Sequence, residues 1–271
     1  MASRLNSTSI ITRNTKMDSN LLYSLITGIF VGGVAGYAGS LMITKKMALT
    51  GDALSHVALP GMGLALLYHI NPFWGALVFL FSGIFIIWIL EQKTELSAET
   101  LTGIIFTVSL ALGFLITPEL ELFEALFGDI SKVYLSDVFF SIVFSCTVFF
   151  LLNKIYSGLT LSIISEDLAK TNGIDLKKYN LVYFFCLAII VALGVKFVGS
   201  LLMGALVIIP AAISKNLAST LKAYSYGGMV FGAIICVLGI FISKFFSVAA
   251  GPAIILASSA IFFLSAAFRK K

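Results

Sequence analysis

Long apolar runs separated by short polar breaks constrain this chain more than any other feature. Nine runs have a length near the roughly 17 to 25 residues that an α-helix needs to cross a bilayer. Hydrophobic residues make up 59% of the 271 residues and charged residues 11%, so a soluble domain would have too little polar surface to cover itself. The sequence therefore predicts an all-α, polytopic integral membrane protein with eight or nine transmembrane helices.

The candidate spans are bounded by short polar breaks. They cover residues 22–43, 52–70, 73–90, 100–117, 137–155, 180–195, 197–213, 223–243 and 249–267. The two segments around Lys196 are both short, so one long broken helix is the alternative there. Residues 1–20 are polar and carry no small-residue cleavage site, which predicts a flexible leader and a retained first span. Residues 21–268 then form a single transmembrane domain.

The 18 lysines and arginines indicate the topology of the chain. They lie in short clusters between apolar runs and not on one basic face, which argues against nucleic-acid binding despite the net charge of +5. One alternating set of loops, which includes "TKKM", residues 154–178 and the terminal "RKK", collects 12 of the 18 basic residues. By the positive-inside rule this side faces the cytoplasm, with the C-terminus inside and, for nine spans, the N-terminus outside.

Small residues in the first span predict a close helix contact. Gly28, Gly32, Gly36 and Ser40 recur every four residues, a spacing that lets two helix backbones pack against each other in lipid. This face either packs within its own subunit or forms a seam between two copies of the chain. The spacing alone does not distinguish the two arrangements.

The stretch "GDALSHVALPG", residues 51–61, keeps ionisable residues inside an apolar run. Asp52 and His56 are four residues apart, so on a helix their side chains lie on one face. Pro60 follows after four more residues and cannot donate a hydrogen bond to the His56 carbonyl, which bends the helix and frees an acceptor. An ionisable residue inside a membrane is costly and is typical of a transport path or a binding site.

A carboxylate and an imidazole suit zinc, manganese or ferrous iron better than copper(I). Two ligands do not close a metal site, but a symmetric dimer would present two copies of Asp52 and His56 around its axis. The alternative is a hydrogen bond between Asp52 and His56 that only caps or packs the start of the helix. The spacing leaves both interpretations open.

Three further features carry weaker predictions. His69 lies beside "NPF" at the end of the second candidate span and is interpreted as an interfacial residue. An acidic loop contains Glu119, Glu121, Glu124 and Asp129. It is either simply solvated, or it docks a partner or gathers cations. Pro210 predicts a second kink within a span, where the carbonyl of Leu206 loses its hydrogen bond. This kink either acts as a hinge or only shapes the helix.

Motifs of known enzymes are missing from the sequence. It contains no G-x-x-x-x-G-K-[ST] phosphate-binding loop, no G-x-S-x-G and no H-E-x-x-H. The chain is therefore predicted not to be an enzyme, and it would need a partner subunit to hydrolyse ATP.

The polar loop "SEDLAKTNGIDLKKYN", residues 165–180, predicts a short helix with an acidic start and a glycine stop. An ordinary connector is the alternative. The acidic start, the "LA" pair and the glycine four residues on resemble the coupling loop of ABC importer permeases, which rests in a groove of the ATP-binding subunit. The residues that carry this resemblance are Glu166, Asp167, Leu168, Ala169 and Gly173.

With that loop, most of the chain resembles the ABC-3 family of zinc, manganese and iron permeases, of which the zinc importers are nearest. The most distinctive block is "KKMALTGDALSHVALPGMGLAL", with Asp52, His56 and Gly61 in register. The other blocks follow in order: "LFGDI" at 126–130, "SEDLAKTNGI" at 165–174, "KFVGSLLMGALVIIPAAISK" at 196–215 and "AGPAIIL" at 250–256. The resemblance extends from about residue 25 to residue 268.

This resemblance implies a type II importer-like permease fold in the bacterial plasma membrane. It implies a homodimer that binds two cytoplasmic ABC ATPase subunits, receives metal from an extracytoplasmic metal-binding protein and is surrounded by membrane lipid. Zn²⁺, or else Mn²⁺ or Fe²⁺, would be the transported substrate, with no permanently bound cofactor. Asp52 and His56 would line the translocation path, and Pro60 and Pro210 would serve as gating kinks.

One departure from the family pattern bears on the choice of metal. The segment "FTVSLALG" occupies residues 106–113, where some zinc-type relatives have an extra histidine, and this weakens the case for zinc over manganese. A stand-alone secondary metal carrier is the alternative function. Such carriers have more charged residues within their spans and usually inverted repeats, neither of which the sequence shows. A third possibility is a structural subunit in which Asp52 and His56 merely pack.

Overall fold

Twelve α-helices form the regular structure of the computed structural model, which describes residues 3–128 and 133–268, with side chains from Asn20 onward. The helices are α1 (Ser3–Thr44), α2 (Ala48–Val57), α3 (Leu59–Leu67), α4 (Pro72–Lys93), α5 (Ala98–Ile116), α6 (Glu119–Phe127), α7 (Leu135–Ile164), α8 (Glu166–Thr171), α9 (Leu176–Val198), α10 (Ser200–Leu217), α11 (Leu221–Phe246) and α12 (Ala250–Ala267). Within these described ranges the chain has no β-strand. The predicted all-α class is confirmed.

Eight helices are long and apolar enough to cross a membrane: the Asn20–Thr44 part of α1, then α4, α5, α7 and α9 to α12. The remaining predicted span, 52–70, forms the pair α2 and α3. Together this pair covers residues 48–67, about 30 Å of helical rise, which matches a hydrocarbon core. The predicted number of eight or nine spans is therefore confirmed.

The two segments around Lys196 are separate helices. Helix α9 ends at Val198 and α10 begins at Ser200. Gly199 between them has φ of 93°, a conformation that glycine adopts without the steric cost of a side chain. A Cβ at Gly199 would also collide with the carbonyl oxygen of Leu126. The chain therefore changes direction at this glycine, and the alternative of one long broken helix is wrong.

The first helix begins earlier than the sequence suggested. Helix α1 starts at Ser3, inside the segment 1–20 that was predicted to be a flexible leader, so the described backbone of that segment is helical. No proline or glycine interrupts residues 1–20, and their backbone can continue the hydrogen-bonded ladder of the first span. The division into a leader and a 21–268 domain stays a prediction.

Helix α1 packs tightly on α11 of the same subunit. Gly28, Gly32 and Gly36 face α11, and a Cβ at Gly36 would collide with the carbonyl oxygen of Gly228. One turn further on, Ser40 Oγ donates a hydrogen bond to Ser225 Oγ at 2.7 Å. We call this contact the α1–α11 seam. It is buried inside the subunit, so the Gly28–Ser40 face packs within its own chain and is not a seam between copies.

The connections between helices gather at two ends of the bundle, which differ in charge. We call one the basic end, because it holds Lys45 and Lys46 after α1 and Lys177 and Lys178 in the first turn of α9. Lys45 Nζ donates a hydrogen bond to Asn180 Oδ1 there. The other is the acidic end, where α6 carries three of the predicted acidic-loop residues, Glu119, Glu121 and Glu124. The last two residues of "LFGDI", Asp129 and Ile130, fall outside the described residues.

A buried ion pair ties three elements at the acidic end. Lys196 Nζ of α9 lies 2.7 Å from Asp137 Oδ2 of α7. Asn71, in the loop before α4, donates from Nδ2 to Asp137 Oδ1 at 3.1 Å, and the Tyr134 amide donates to Oδ2 at 2.9 Å. Because both carboxylate oxygens are bonded, the buried charge is compensated. The pair fixes the loop after α3 against α7 and α9.

Candidate functional site

The path predicted around "GDALSHVALPG" lies on a broken helix. Helix α2 ends at Val57, Ala58 links the two pieces, and Pro60 lies in the first turn of α3. Because proline has no N–H, the His56 carbonyl cannot receive the hydrogen bond that would continue the helix, and the first helical turn is where proline is tolerated. Ala58 keeps helical dihedral angles, with φ of −70° and ψ of −24°, so the interruption is a single residue long. The bend at Pro60 and its role in gating stay predictions.

Helix α10 presses directly on Asp52. A Cβ built on Gly204 would lie 2.7 Å from both Cβ and Oδ1 of Asp52 and 2.8 Å from its Cα. Real Cβ atoms almost never come so close to other heavy atoms, so the contact requires glycine at position 204. Gly204 thus sets the separation of α2 and α10 at the carboxylate.

His56 is buried and one of its nitrogens has no partner. Its side chain is 8% exposed, and Nδ1 has no hydrogen-bond partner among the described residues. The imidazole packs edge-on against the ring of Phe106 in α5, with ring centroids 5.3 Å apart. An unsatisfied buried nitrogen carries a free-energy cost that a bound cation would remove. The residue type and its setting therefore fit a metal ligand.

The capping alternative finds no support in the geometry. In the described part of the chain, no hydrogen bond joins the Asp52 carboxylate to the His56 ring, although the two groups are close enough to interact electrostatically. The N-cap of α2 is Met47, whose side chain forms no capping hydrogen bond. Asp52 and His56 remain available to a third group.

Other polar atoms at the contact of α2 with α10 are also unsatisfied. Seven buried side-chain nitrogen or oxygen atoms in the described residues lack a partner. Three of the seven belong to α2 or to the start of α10, namely Thr50 Oγ1, His56 Nδ1 and Ser200 Oγ. Ser55 Oγ lies 2.6 Å from the carbonyl oxygens of both Asp52 and Ser200, and its single hydrogen can serve only one of them at a time. This contact is polar and incompletely bonded.

Asp52 and His56 are the two candidate ligands that one copy of the chain offers at this site. Among residues 3–128 and 133–268, no group of three or more His, Cys, Asp or Glu side chains is close enough to hold a metal ion. Zinc sites in proteins normally use three or four protein ligands. A single chain can thus bind an ion only weakly at Asp52 and His56, unless further ligands come from outside it.

An open cavity lies beyond α3 at the acidic end. It has a volume of about 580 Å³ and is lined by Met62 and Leu66 of α3, by His69 and by two residues of α6, Glu121 and Glu124. The sequence treated His69 and the acidic residues as separate features, and the structure brings them to one cavity beside the path helix. The acidic segment is the helix α6 and not a loop, because Pro118 starts it and Gly128 ends it.

The second predicted kink differs from the first. Pro210 lies inside α10, which is continuous from Ser200 to Leu217. Its ring packs in the α1–α11 region, with Cβ 3.3 Å from a Cβ built on Gly36. Pro60 therefore coincides with a break in the helix, whereas Pro210 is accommodated within one.

The predicted coupling loop contains the short helix that the sequence indicated. Helix α8 covers Glu166–Thr171, with Ser165 as N-cap, whose side chain accepts a hydrogen bond from the Leu168 amide. Ala169 is fully buried, and the helix ends before Gly173, which has φ of 74°. Every residue of this helix except Ala169 is exposed, including Glu166, Asp167 and Leu168. Lys170 pairs with Glu166 at 3.7 Å, so the helix presents a charged surface with one exposed leucine at the basic end.

Sequence reasoning missed two neighbours of the site. Gly204 and Phe106 contact Asp52 and His56 from α10 and α5, and nothing in the spacing of the chain relates positions so far apart. Phe106 is also the first residue of "FTVSLALG", the segment that departs from zinc-type relatives. The segment that differs from zinc-type relatives therefore contacts the His56 imidazole through Phe106.

Comparison with known proteins gives consistent matches. The family model of the ABC 3 transport family matches residues 17–269. The high-affinity zinc uptake system membrane protein ZnuB of Buchnera aphidicola subsp. Baizongia pistaciae is 30% identical over 256 residues, 92% of this chain and 98% of that protein. The manganese import system permease protein ScaB of Streptococcus gordonii is 34% identical over 246 residues, 89% of this chain and 88% of that protein.

A solved structure agrees with the sequence matches. PsaBC from Streptococcus pneumoniae in complex with Fab superposes with a TM-score of 0.80 at 33% identity, covering 91% of this chain and 90% of that chain. The predicted family resemblance and the permease fold are confirmed, and the described spans fit a multi-pass protein of the bacterial plasma membrane. The chain belongs to the ABC 3 transport family and is a membrane-spanning permease of the ABC transporter class.

Proposed function

We propose that this permease imports a divalent transition metal and that Asp52 and His56 hold the ion during its passage. The observation that carries the proposal is the buried His56 Nδ1, which has no partner among the described residues, one helical turn from the Asp52 carboxylate. The buried polar atoms that lack partners where α2 contacts α10 support a metal ion that binds there transiently. Two ligands per chain give a site weak enough to release its ion, as transport requires.

We propose a homodimer in which the two copies complete the site. Two Asp52 carboxylates and two His56 imidazoles around a two-fold axis supply the four ligands that one chain lacks. The ion enters from the acidic end, where His69, Glu121 and Glu124 line the cavity above α3. Carboxylates at this mouth raise the local concentration of cations.

Zinc and manganese are the substrates that the relatives support, since ZnuB is a zinc protein and ScaB a manganese protein by name. We infer that the ligand set accepts both metals, because one carboxylate and one imidazole per chain lie between the preferences of the two. Phe106 beside His56 favours manganese, since it adds no nitrogen ligand to the site.

ATP hydrolysis belongs to partner subunits in this proposal. Helix α8 is anchored by Ala169 and exposes Glu166, Asp167 and Leu168 at the basic end, a surface that fits the groove of a cytoplasmic ATPase. An extracytoplasmic metal-binding protein delivers the ion at the other end. The Pro60 break lets α2 and α3 move relative to each other when the ATPases close.

The test is ATP-dependent metal uptake into proteoliposomes. The chain is reconstituted with the ATPase and the binding protein of its own organism, and zinc, manganese and iron are compared. We expect uptake of zinc or manganese that requires ATP and all three components. Transport by the purified chain alone, driven by an ion gradient, would contradict the proposal and favour a secondary carrier.

A further inference from the structure

A second cavity lies between α4 and α9 at the basic end, away from the metal path. Its volume is about 220 Å³. Its lining comes from the last turns of α4 and the first turns of α9: Ile84, Ile87, Trp88, Glu91, Gln92, Lys177, Asn180, Leu181 and Phe184. None of these residues belongs to the proposed metal path or to α8, although Lys177 and Asn180 lie at the end of the segment 165–180 that contains α8.

The cavity wall contains an amide group with a fixed orientation. Lys45 Nζ donates to Asn180 Oδ1 and also lies 5.1 Å from the centre of the Tyr183 ring. An ammonium group can only donate hydrogen bonds, so the carbonyl side of the Asn180 amide must face Lys45. The Nδ2 hydrogens then point away from Lys45, and no described residue accepts a hydrogen bond from them. They are left for another acceptor.

Charges of both signs stand at the mouth of the cavity. Lys177 is exposed, and within the described residues no carboxylate lies close enough to its ammonium group to form an ion pair. The next residue, Lys178, instead pairs with Asp175 at 3.2 Å and does not line the cavity. Glu91 contributes a carboxylate to the same lining. The mouth thus offers a cation, a carboxylate and an amide donor together.

The deeper part of the cavity is apolar. Ile84, Ile87 and Phe184 are nearly fully buried at its wall. Trp88 stacks on Phe85, with ring centroids 6.1 Å apart, and Phe85 is exposed on the outer surface of α4. Tryptophan is enriched where a bilayer meets water. An apolar interior with a charged mouth beside an interfacial tryptophan matches the profile of a single lipid molecule.

We propose that this cleft binds phosphatidylethanolamine from the leaflet at the basic end of the bundle. The phosphate accepts hydrogen bonds from Lys177 and from Asn180 Nδ2, and Glu91 accepts from the primary ammonium of the headgroup. The first methylenes of an acyl chain lie along Ile84 and Phe184. Lys45 also lies near Glu91, but its ammonium group is hydrogen-bonded to Asn180. A purely anionic headgroup would add a like charge facing Glu91, and a quaternary ammonium could not donate to it.

Lipid titrations of the full chain in complex with its ATPase, read by native mass spectrometry, test the proposal. The probes are phosphatidylethanolamine, phosphatidylglycerol and phosphatidylcholine with identical acyl chains. We expect phosphatidylethanolamine to bind tightest. Lys177→Ala should weaken its binding about fivefold, the effect of one basic residue at a membrane surface. The matched control Lys178→Ala should change it by less than about twofold, because Lys178 lies outside the cavity.

A second pair of variants tests the role of the carboxylate. Glu91→Gln should remove the preference for phosphatidylethanolamine over phosphatidylcholine, whereas Glu95→Gln, which alters an exposed loop carboxylate outside the cavity, should retain it. Both substitutions are at exposed positions, so the variants should fold. Equal binding of the three lipids by the wild type, tightest binding of phosphatidylglycerol, or equal effects of Lys177→Ala and Lys178→Ala would each overturn the proposal.

Discussion

Glycines allow close approach both at the α1–α11 seam and at the contact of α2 with α10, but they bring different groups together. In the seam, glycines face glycines: Gly32 and Gly36 of α1 lie against Gly232 and Gly228 of α11. At the other contact a single glycine, Gly204, faces the carboxylate-bearing residue of the path. The first contact brings two backbones together, whereas the second brings a backbone against the Asp52 side chain, a proposed ligand.

The two contacts differ in which polar groups lack partners within the described chain. At the seam, Ser40 donates to Ser225 at 2.7 Å and both helices are continuous, although Thr27 of α1 and Tyr224 of α11 each keep a buried oxygen without a partner among the described residues. At the contact of α2 with α10, Thr50, His56 and Ser200 keep such atoms, and the helix is broken at Ala58. Only the second contact includes an imidazole nitrogen, the commonest metal ligand in proteins.

The largest effect is expected at the seam. Gly36→Val places a side chain against the Gly228 carbonyl, which the packed backbones cannot accommodate. We expect the melting temperature to fall by roughly 6 to 12 °C and membrane abundance to drop with it. Gly103→Val is the matched control, because a Cβ at Gly103 meets nothing within 4 Å. Normal stability of Gly36→Val would show that the seam is looser than described.

Gly204→Ala should separate stability from transport. The new methyl group would overlap Asp52 Cβ and Oδ1, now 2.7 Å away, and would displace the carboxylate from the path. We expect metal uptake, compared at equal amounts of permease in the membrane, to fall at least about tenfold, since a displacement of about 1 Å can cost a positioned group up to roughly a hundredfold. Uptake like that of the Gly103→Ala control would argue against a role for Gly204 in positioning Asp52.

Pro60→Ala should have a smaller effect on the same path. Alanine supplies the N–H that the His56 carbonyl lacks, so α2 and α3 can join into one helix. We expect uptake to fall about threefold, with little change in melting temperature because proline in a first helical turn is not strained. ATPase activity of the complex measured alongside would reveal loss of coupling. Unchanged uptake would remove Pro60 from the gating mechanism.

The smallest effect is expected at Lys45, in the loop between α1 and α2. Burial lowers the pKa of Lys45 from its ordinary value to about 8, although the nearby Glu91 carboxylate opposes this. Between pH 8 and about 10.4 the unfolded chain keeps a proton that the folded chain has released, so raising the pH in this window stabilises the fold.

Melting temperatures of wild type and Lys45→Met across that window check this expectation. The wild type should gain a few degrees relative to the variant as the pH rises from 8 to 10. Parallel pH curves for the two proteins would mean that Lys45 keeps its ordinary pKa in the fold.

The spacing of residues was sufficient to predict some features and not others. Asp52, His56 and Pro60 are neighbours in sequence, so helical periodicity alone placed them on one broken helix. Gly173 could be recognised as the stop of α8 for the same local reason. Gly204 and Phe106 reach the site from distant helices, and only tertiary packing brings them there. Whether the Gly28–Ser40 face packs within the subunit or between copies likewise could not be predicted, because it depends on which helix covers that face.

The central claim is that Asp52 and His56 hold the transported ion, and metal uptake in cells lacking their own zinc and manganese importers tests it most directly. Wild type, Asp52→Asn, His56→Ala and His69→Ala are compared at matched membrane abundance, with the partner ATPase and binding protein present. His69 is the only other histidine of the chain. Uptake should fall at least about tenfold in the first two variants and stay within about twofold of wild type in His69→Ala. Full uptake by Asp52→Asn and His56→Ala would contradict the account.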